Sequence, residues 1–214
     1  MTLPLPRRRL LLLATGLAPL AACGRKAQRA QAVPPGATVL ALGDSLTAGV
    51  GASASMAYPA VLARLTGWKV VNGGVSGDTS AQALARLPGL LQQHQPALVI
   101  VSIGGNDFLR RQGSAATRAN ILRICQDALA SRAQVLLVAV PELTLMAVAG
   151  RLSDHAMYED IAAELKIPLH GQGWSGVLAQ ERLRADQIHA NAEGYAQFAQ
   201  GLAQTLKRTG LWAG

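Results

Sequence analysis

Charge is scarce in this chain of 214 residues: Asp, Glu, Lys and Arg make up 15% of it, against 50% hydrophobic residues. Chains that stay unfolded have the opposite balance, so the composition excludes a disordered protein and fits a globular one. Cysteine is rarer still, with Cys23 and Cys125 alone. There is no HExxH, no CxxC and no phosphate-binding loop, which leaves metal, nucleotide or other cofactor dependence without support. Basic residues such as Arg64, Lys69, Arg86, Arg110, Arg111, Arg118 and Arg123 are scattered and not interleaved with aromatics, so they read as solvated surface and exclude a nucleic-acid-binding stripe. Internal repeats are lacking too. At this length one domain is expected, burying roughly 70% of the surface its unfolded chain exposes.

No apolar run is long enough to span a bilayer, which takes about 20 helical residues. The apolar stretch 10–20 instead follows Arg7-Arg8-Arg9 and precedes Leu20-Ala21-Ala22-Cys23. Residues 1–22 therefore read as an export signal. Leu-Ala-Ala-Cys resembles a bacterial lipobox, which implies cleavage before Cys23 and acylation of its thiol. The mature protein is then expected to be exported and held at a membrane by lipid chains, facing the periplasm or cell exterior, on an outer membrane if the cell has one. Loss of the three arginines takes the net charge from +8 to +5. Cys125, left without an intramolecular partner, sits in an apolar helical run and is expected to be a buried, inert thiol. Residues 23–36, ending in Pro34-Pro35-Gly36, read as a flexible tether, with the domain occupying 37–214.

Within that domain, short unbroken apolar runs at 38–42, 98–103 and 135–140, with weaker ones at 68–72 and 167–170, are expected to be strands covered on both faces. Helices are expected at 57–65, 79–91, 115–130, 157–165 and 192–206. Thr79 and Gln82 have capping-box spacing, Pro88 is expected to kink or shorten its helix, and Asn191 is the expected N-cap of the last one. Alternating strands and helices imply a three-layer α/β/α domain around a five-stranded parallel sheet, in which ligands sit at the carboxyl ends of the strands.

Those ends carry the unusual residues: Gly43-Asp44-Ser45-Leu46, then Asn72 to Thr79, then Gly104-Gly105-Asn106-Asp107. Asp186-Gln187-Ile188-His189 precedes the last helix. Acyl transfer needs a nucleophile, a base, a group that orients the base, and donors for an oxyanion. Ser45, His189 and Asp186 supply the first three. Gly74 and Gly77 let backbone amides approach a substrate, and Asn106 offers side-chain donors. Asp44 and Asp107 read as caps of helix or loop amides. Ser76 fails as a rival nucleophile because a nucleophile elbow needs Gly where Asp78 stands. His94 and His155 read as surface residues, and His170 as a loop-supporting residue near a strand end.

GDSL at 43–46, SGDTS at 76–80, GGND at 104–107 and D-x-x-H at 186–189 together resemble the SGNH/GDSL hydrolases, over essentially the whole mature domain. The resemblance, nearest to bacterial thioesterase/lysophospholipase and arylesterase members, implies a flavodoxin-like sheet. It further implies Ser45, Asp186 and His189 as the triad, and the N–H groups of Ser45 and Gly77 with the Asn106 side chain as the oxyanion hole. Two positions depart from the family pattern: Gln187 stands for Gly and Ala190 for Pro. Neither supplies a catalytic group, though Gln187 bears on the pocket mouth. Phe108 and Leu109 are expected to form an apolar lip, and Gly49-Val50-Gly51 another wall. The implied partner is a small-molecule or lipid ester, cleaved by a monomer. O-deacetylation of cell-wall or exopolysaccharide sugars would use the same machinery, and a lipid-tethered binding protein with a dead site is the remaining alternative.

Overall fold

The computed structural model describes Met1, residues 31–141 and residues 152–214. The expected export segment from residue 2 onward, Cys23 and the tether as far as residue 30 lie outside the described residues.

Five strands form one parallel sheet in the order β2-β1-β3-β4-β5. They are β1 (Thr38–Gly43), β2 (Lys69–Gly74), β3 (Leu98–Ser102), β4 (Gln134–Val138) and β5 (Leu169–His170). β1, β3 and β4 are buried almost end to end, which is why their sequences are continuously apolar instead of alternating. β2 and β5 are the edges. β2 is half solvated, and β5 is cut to two residues behind Pro168, which has no N–H to offer the ladder.

The helices are α1 (Ser45–Ala48), α2 (Tyr58–Thr66), α3 (Ser80–His94), α4 (Gly105–Leu109), α5 (Ser114–Ala130), α6 (Met157–Leu165), α7 (Gly173–Leu178) and α8 (Ala192–Arg208). α2 packs with α8, and α3 with α5, covering the two faces of the sheet. Right-handed crossovers dictate this split, because the chain moves one way from β1 to β2 and the other way from β2 onward. None of the described helices is long and apolar enough to cross a membrane.

Local chemistry fixes the boundaries. Thr79 and Gln82 close a reciprocal capping box at α3, and Asn191 Oδ1 accepts the Gly194 N–H at α8. Tyr195, Phe198, Ala199, Leu202 and Leu206 form the buried stripe of α8. Cys125 is fully buried in α5, and burial pushes its thiol up to about 12.

Two expectations change. Of the kink or shortening expected at Pro88, the shortening does not occur, since α3 continues to His94. Proline costs the helix one hydrogen bond, but Leu87, fully buried, with Leu84, Leu90 and Leu91 packed against the core, holds the next turn in place. The domain also begins before Ala37. Val33 is buried, its N–H donates to Leu211 O at 2.8 Å, and its carbonyl accepts from Trp68 Nε1 at 3.2 Å. Gln31 and Gln134 exchange two 2.7 Å bonds. Paired backbone groups thus reach back to Gln31 and apolar burial to Val33, so the packed domain starts no later than Gln31.

Candidate active site

In a 2-1-3-4-5 sheet the strand order reverses between β1 and β3, and the loops leaving these strands diverge to open a crevice. Ser45 follows β1 and Asn106 follows β3, so the expected site falls at this switch point.

Three elements place the Ser45 hydroxyl. Asp44 caps α1 through Oδ1, which accepts the Leu46 N–H at 3.0 Å. Burial raises the Asp44 carboxyl to about 6, against the pull of that bond and of His189. Below α1 lies an aromatic cluster in which Trp174 stacks on Phe198 with centroids 3.6 Å apart and meets Tyr58 and Tyr195 edge-on. Tyr58 Oη lies 3.3 Å from Thr47 Oγ1, and Tyr195 Oη donates to Val50 O at 2.6 Å, so the cluster holds the second half of α1 and the turn that follows it. Gly43 is needed for space, not for an unusual turn: a Cβ there would lie 2.1 Å from Thr47 Oγ1 and 2.4 Å from Ser102 O.

Ser45 Oγ is 3.0 Å from His189 Nε2, and His189 Nδ1 is 2.7 Å from Asp186 Oδ2. Asp186 Oδ1 accepts the N–H groups of Ile188 at 2.9 Å and His189 at 2.8 Å. Partial burial opposes ionisation of Asp186. Its bonds from the His189 ring and from the Ile188 and His189 amides nevertheless hold the carboxyl below the usual range. Ala185 N donates to His189 O at 2.9 Å and closes the turn. Gln187 and Ala190 leave this turn intact: Ala190 is buried, and Gln187 is exposed beside an open concavity of about 450 Å³ next to Asp186.

The other expected residues meet the same edge. Val75 N donates to Gly43 O at 3.1 Å, tying the loop after β2 to the turn before Ser45. Gly77 has φ +84, a conformation that favours glycine. Asn106, half-buried in α4, donates from Nδ2 to Asp78 O at 3.0 Å and lies 3.5 Å from Asp44 Oδ2. Among the described residues neither the Ser45 N–H nor the Gly77 N–H donates to a protein acceptor. Gly74 differs from expectation: a Cβ there would meet Ala48 N at 2.2 Å, so it serves the packing of β2 on α1 and not approach to a substrate.

Asp107 is fully buried and accepts from Ser80 N at 2.8 Å and Ser80 Oγ at 2.5 Å, joining α4 to α3. Phe108 is half-buried and stacks on His155, with centroids 5.0 Å apart and planes within 5°, whereas Leu109 and Val50 are exposed at the rim. His155 is therefore covered on one face and is not a free surface residue. His94 is half-buried too. His170 is buried, 2.9 Å from Thr205 Oγ1, and burial lowers it to about 4. It belongs to the core.

The sequence reading missed Arg86 and Arg110. Arg86 bonds Asp78 Oδ2 through Nε at 2.6 Å and Gly43 O through Nη2 at 2.8 Å, and Arg110 Nη2 donates to Gly77 O at 2.8 Å. The only available signal was the position of Arg86 in the second turn of α3, a helix that starts directly after Asp78 and its Thr79 cap.

Residues 41–197 match the sequence profile of the GDSL-like lipase/acylhydrolase family. The chain is 41% identical over 176 residues to thioesterase 1/protease 1/lysophospholipase L1 of Escherichia coli strain K12, covering 79% of this chain and 83% of that protein. It is 34% identical over 178 residues to esterase TesA of Pseudomonas aeruginosa, covering 79% and 88%. A crystal structure of TesA superposes with a TM-score of 0.71 at 33% identity over 80% of this chain and 99% of that one.

Proposed function

Since the chain belongs to the GDSL-like lipase/acylhydrolase family, we propose that it is a serine esterase that cleaves carboxylic esters or thioesters through an acyl-Ser45 intermediate. The observation that carries the reading is the 3.0 Å contact between Ser45 Oγ and His189 Nε2, which is hydrogen-bond reach for proton transfer.

Ser45 Oγ attacks the carbonyl carbon while His189 Nε2 takes its proton. Asp186 holds the Nδ1 proton and so keeps Nε2 free to accept. The carbonyl oxygen, now negative, receives the N–H groups of Ser45 and Gly77 and the Asn106 Nδ2–H that otherwise faces Asp44 Oδ2 at a stretched 3.5 Å. The intermediate collapses, the C–O or C–S bond to the leaving group breaks, and His189 returns the proton to it. Water then attacks the acyl-serine by the same route and releases the acid.

Leu109 and Phe108 supply an apolar lip for the acyl chain, and the exposed Val50 side chain another wall. The Leu20-Ala21-Ala22-Cys23 sequence supports export and acylation of Cys23, which puts this site at a membrane. Loss of fatty-acid incorporation in Cys23→Ser cells tests the anchor.

Initial rates on aryl esters, acyl thioesters and lysophospholipids of increasing chain length, run beside acetylated glycans, test the substrate class. Turnover of the first group with a chain-length preference is expected. Turnover confined to acetylated glycans would replace this reading with O-deacetylation.

A further inference from the structure

The oxyanion donors come from three separate segments: the start of α1, the loop after β2 and the start of α4. Each is short, and a tetrahedral oxyanion tolerates donors displaced by only a few tenths of an ångström. Something must therefore hold the segments in mutual register. Asn106 joins the second and third through its bond to Asp78 O. The first and second share the Val75 N–Gly43 O bond and one side chain, Arg86.

We propose that Arg86 is a positioning residue for the oxyanion hole, its guanidinium locking the peptide that precedes the nucleophile turn to the loop that presents Gly77. This inference rests on the acyl-Ser45 reading above. Arg86 reaches from the second turn of α3 with two donors that diverge by design. Nε meets the Asp78 carboxylate at 2.6 Å and Nη2 meets Gly43 O at 2.8 Å. The planar guanidinium keeps the two bonds at a fixed spacing, which an ammonium cannot do. Arg86 retains 24% and Asp78 10% of their side-chain exposure, so the pair is largely shielded from solvent. Asp78 is then gripped twice, its carboxylate by Arg86 and its carbonyl by Asn106, and it follows Gly77 directly. The Asp78 N–H also donates to Val75 O at 3.1 Å, closing a turn whose central Ser76–Gly77 peptide carries the Gly77 N–H, so anchoring Asp78 steadies that peptide. Arg86 touches no reacting atom, so its effect should appear in the transition state and not in substrate affinity.

The test compares the full chain with Arg86→Ala and Arg86→Lys. It measures kcat and KM on an aryl ester, the inhibition constant of an alkyl boronic acid as a tetrahedral oxyanion mimic, and fluorophosphonate labelling of Ser45. We expect kcat to fall about 10- to 100-fold in Arg86→Ala, the range for a sub-ångström misplacement. KM should stay within about twofold, boronate affinity should fall in parallel with kcat, and added guanidinium, but not methylammonium, should restore part of the rate. Arg86→Lys should remain impaired because it cannot hold both acceptors. If Arg86→Ala does not fold, Arg86→Lys is read by the same kcat, KM and boronate measurements. Unchanged kcat in a folded variant, or a loss of kcat with boronate affinity intact, overturns the proposal. Failure of the wild type to label or turn over would instead remove the acyl-Ser45 reading beneath it.

Discussion

Replacing Asn106 with alanine separates two jobs that one side chain performs. Asn106 Nδ2 holds Asp78 O at 3.0 Å, and its other N–H is the donor assigned to the oxyanion. The first job is a single, half-buried neutral hydrogen bond, worth about 1 kcal/mol to the fold. At the size of this domain that lowers the melting temperature by about 2–4 °C. The second job is worth more, because a donor aimed at developing charge costs about 2.7–4 kcal/mol of transition-state stabilisation when removed, or about 10²–10³ in kcat. KM should barely move, since the donor has little to bind in the ground state. Stopped or steady-state assays on an aryl ester, with melting followed by circular dichroism, give both numbers from one variant. A folded Asn106→Ala protein with kcat within about fivefold of wild type would refute the assignment of Asn106 as an oxyanion donor, because the expected loss is at least about 10².

Other expectations follow from the same geometry. Asp186→Asn should lower kcat by about 10⁴ without unfolding the protein, because an amide can donate to His189 Nδ1 and trap the wrong tautomer; near-normal kcat would deny Asp186 its role. Gly74→Ala should fail to accumulate as folded protein, since its Cβ would sit 2.2 Å from Ala48 N, and a well-folded, active variant would contradict the packing of α1 on β2. Two buried groups should make opposite contributions to stability in acid. Burial holds His170 at about 4 against 6.5, so the unfolded chain binds the extra proton and stability falls as pH drops from 6.5 toward 4. Burial holds Asp44 at about 6 against 3.8, so the folded chain binds the extra proton and stability rises as pH drops from 6 toward 3.8. Each contribution is about 3 kcal/mol. His170→Gln should therefore show melting temperatures that rise between pH 6 and 4 relative to wild type, and Asp44→Asn temperatures that fall; parallel curves for all three would refute both assignments.

Much of this architecture was legible in the sequence because its determinants are local. Central strands read as strands because β1, β3 and β4 are buried on both faces and need apolar side chains throughout. The start of α3 read from Thr79 and Gln82, and the start of α8 from Asn191, because caps are satisfied by residues two or three positions away. Ser45 and Asn106 stood out because polar residues cluster at the ends of apolar runs, and Asp186 and His189 by their three-residue spacing just before the last helix. What stayed hidden depends on contacts across the chain. α7 begins with Gly173, carries Gly176 and is only six residues long, too short for the spacing of Trp174, Val177 and Leu178 to read as a helix; Trp174 packing on Phe198 and its bond to Ser102 Oγ at 3.0 Å hold it. Val33 reads as linker until Trp68 and Leu211 are seen against it. Pro88 reads as a helix breaker until the buried leucines around it are counted. Arg86 reads as one more surface charge until Gly43 and Asp78 are found at its two donors.

The most direct measurement is intact-protein and peptide mass spectrometry after brief exposure to a fluorophosphonate. It should show one adduct on the peptide carrying Ser45, lost in Ser45→Ala together with ester hydrolysis, which should fall by a factor on the order of 10⁶. An adduct on another residue, or a folded Ser45→Ala protein that still turns over ester at a comparable rate, would contradict the claim that the Ser45 hydroxyl, primed by His189, is the nucleophile.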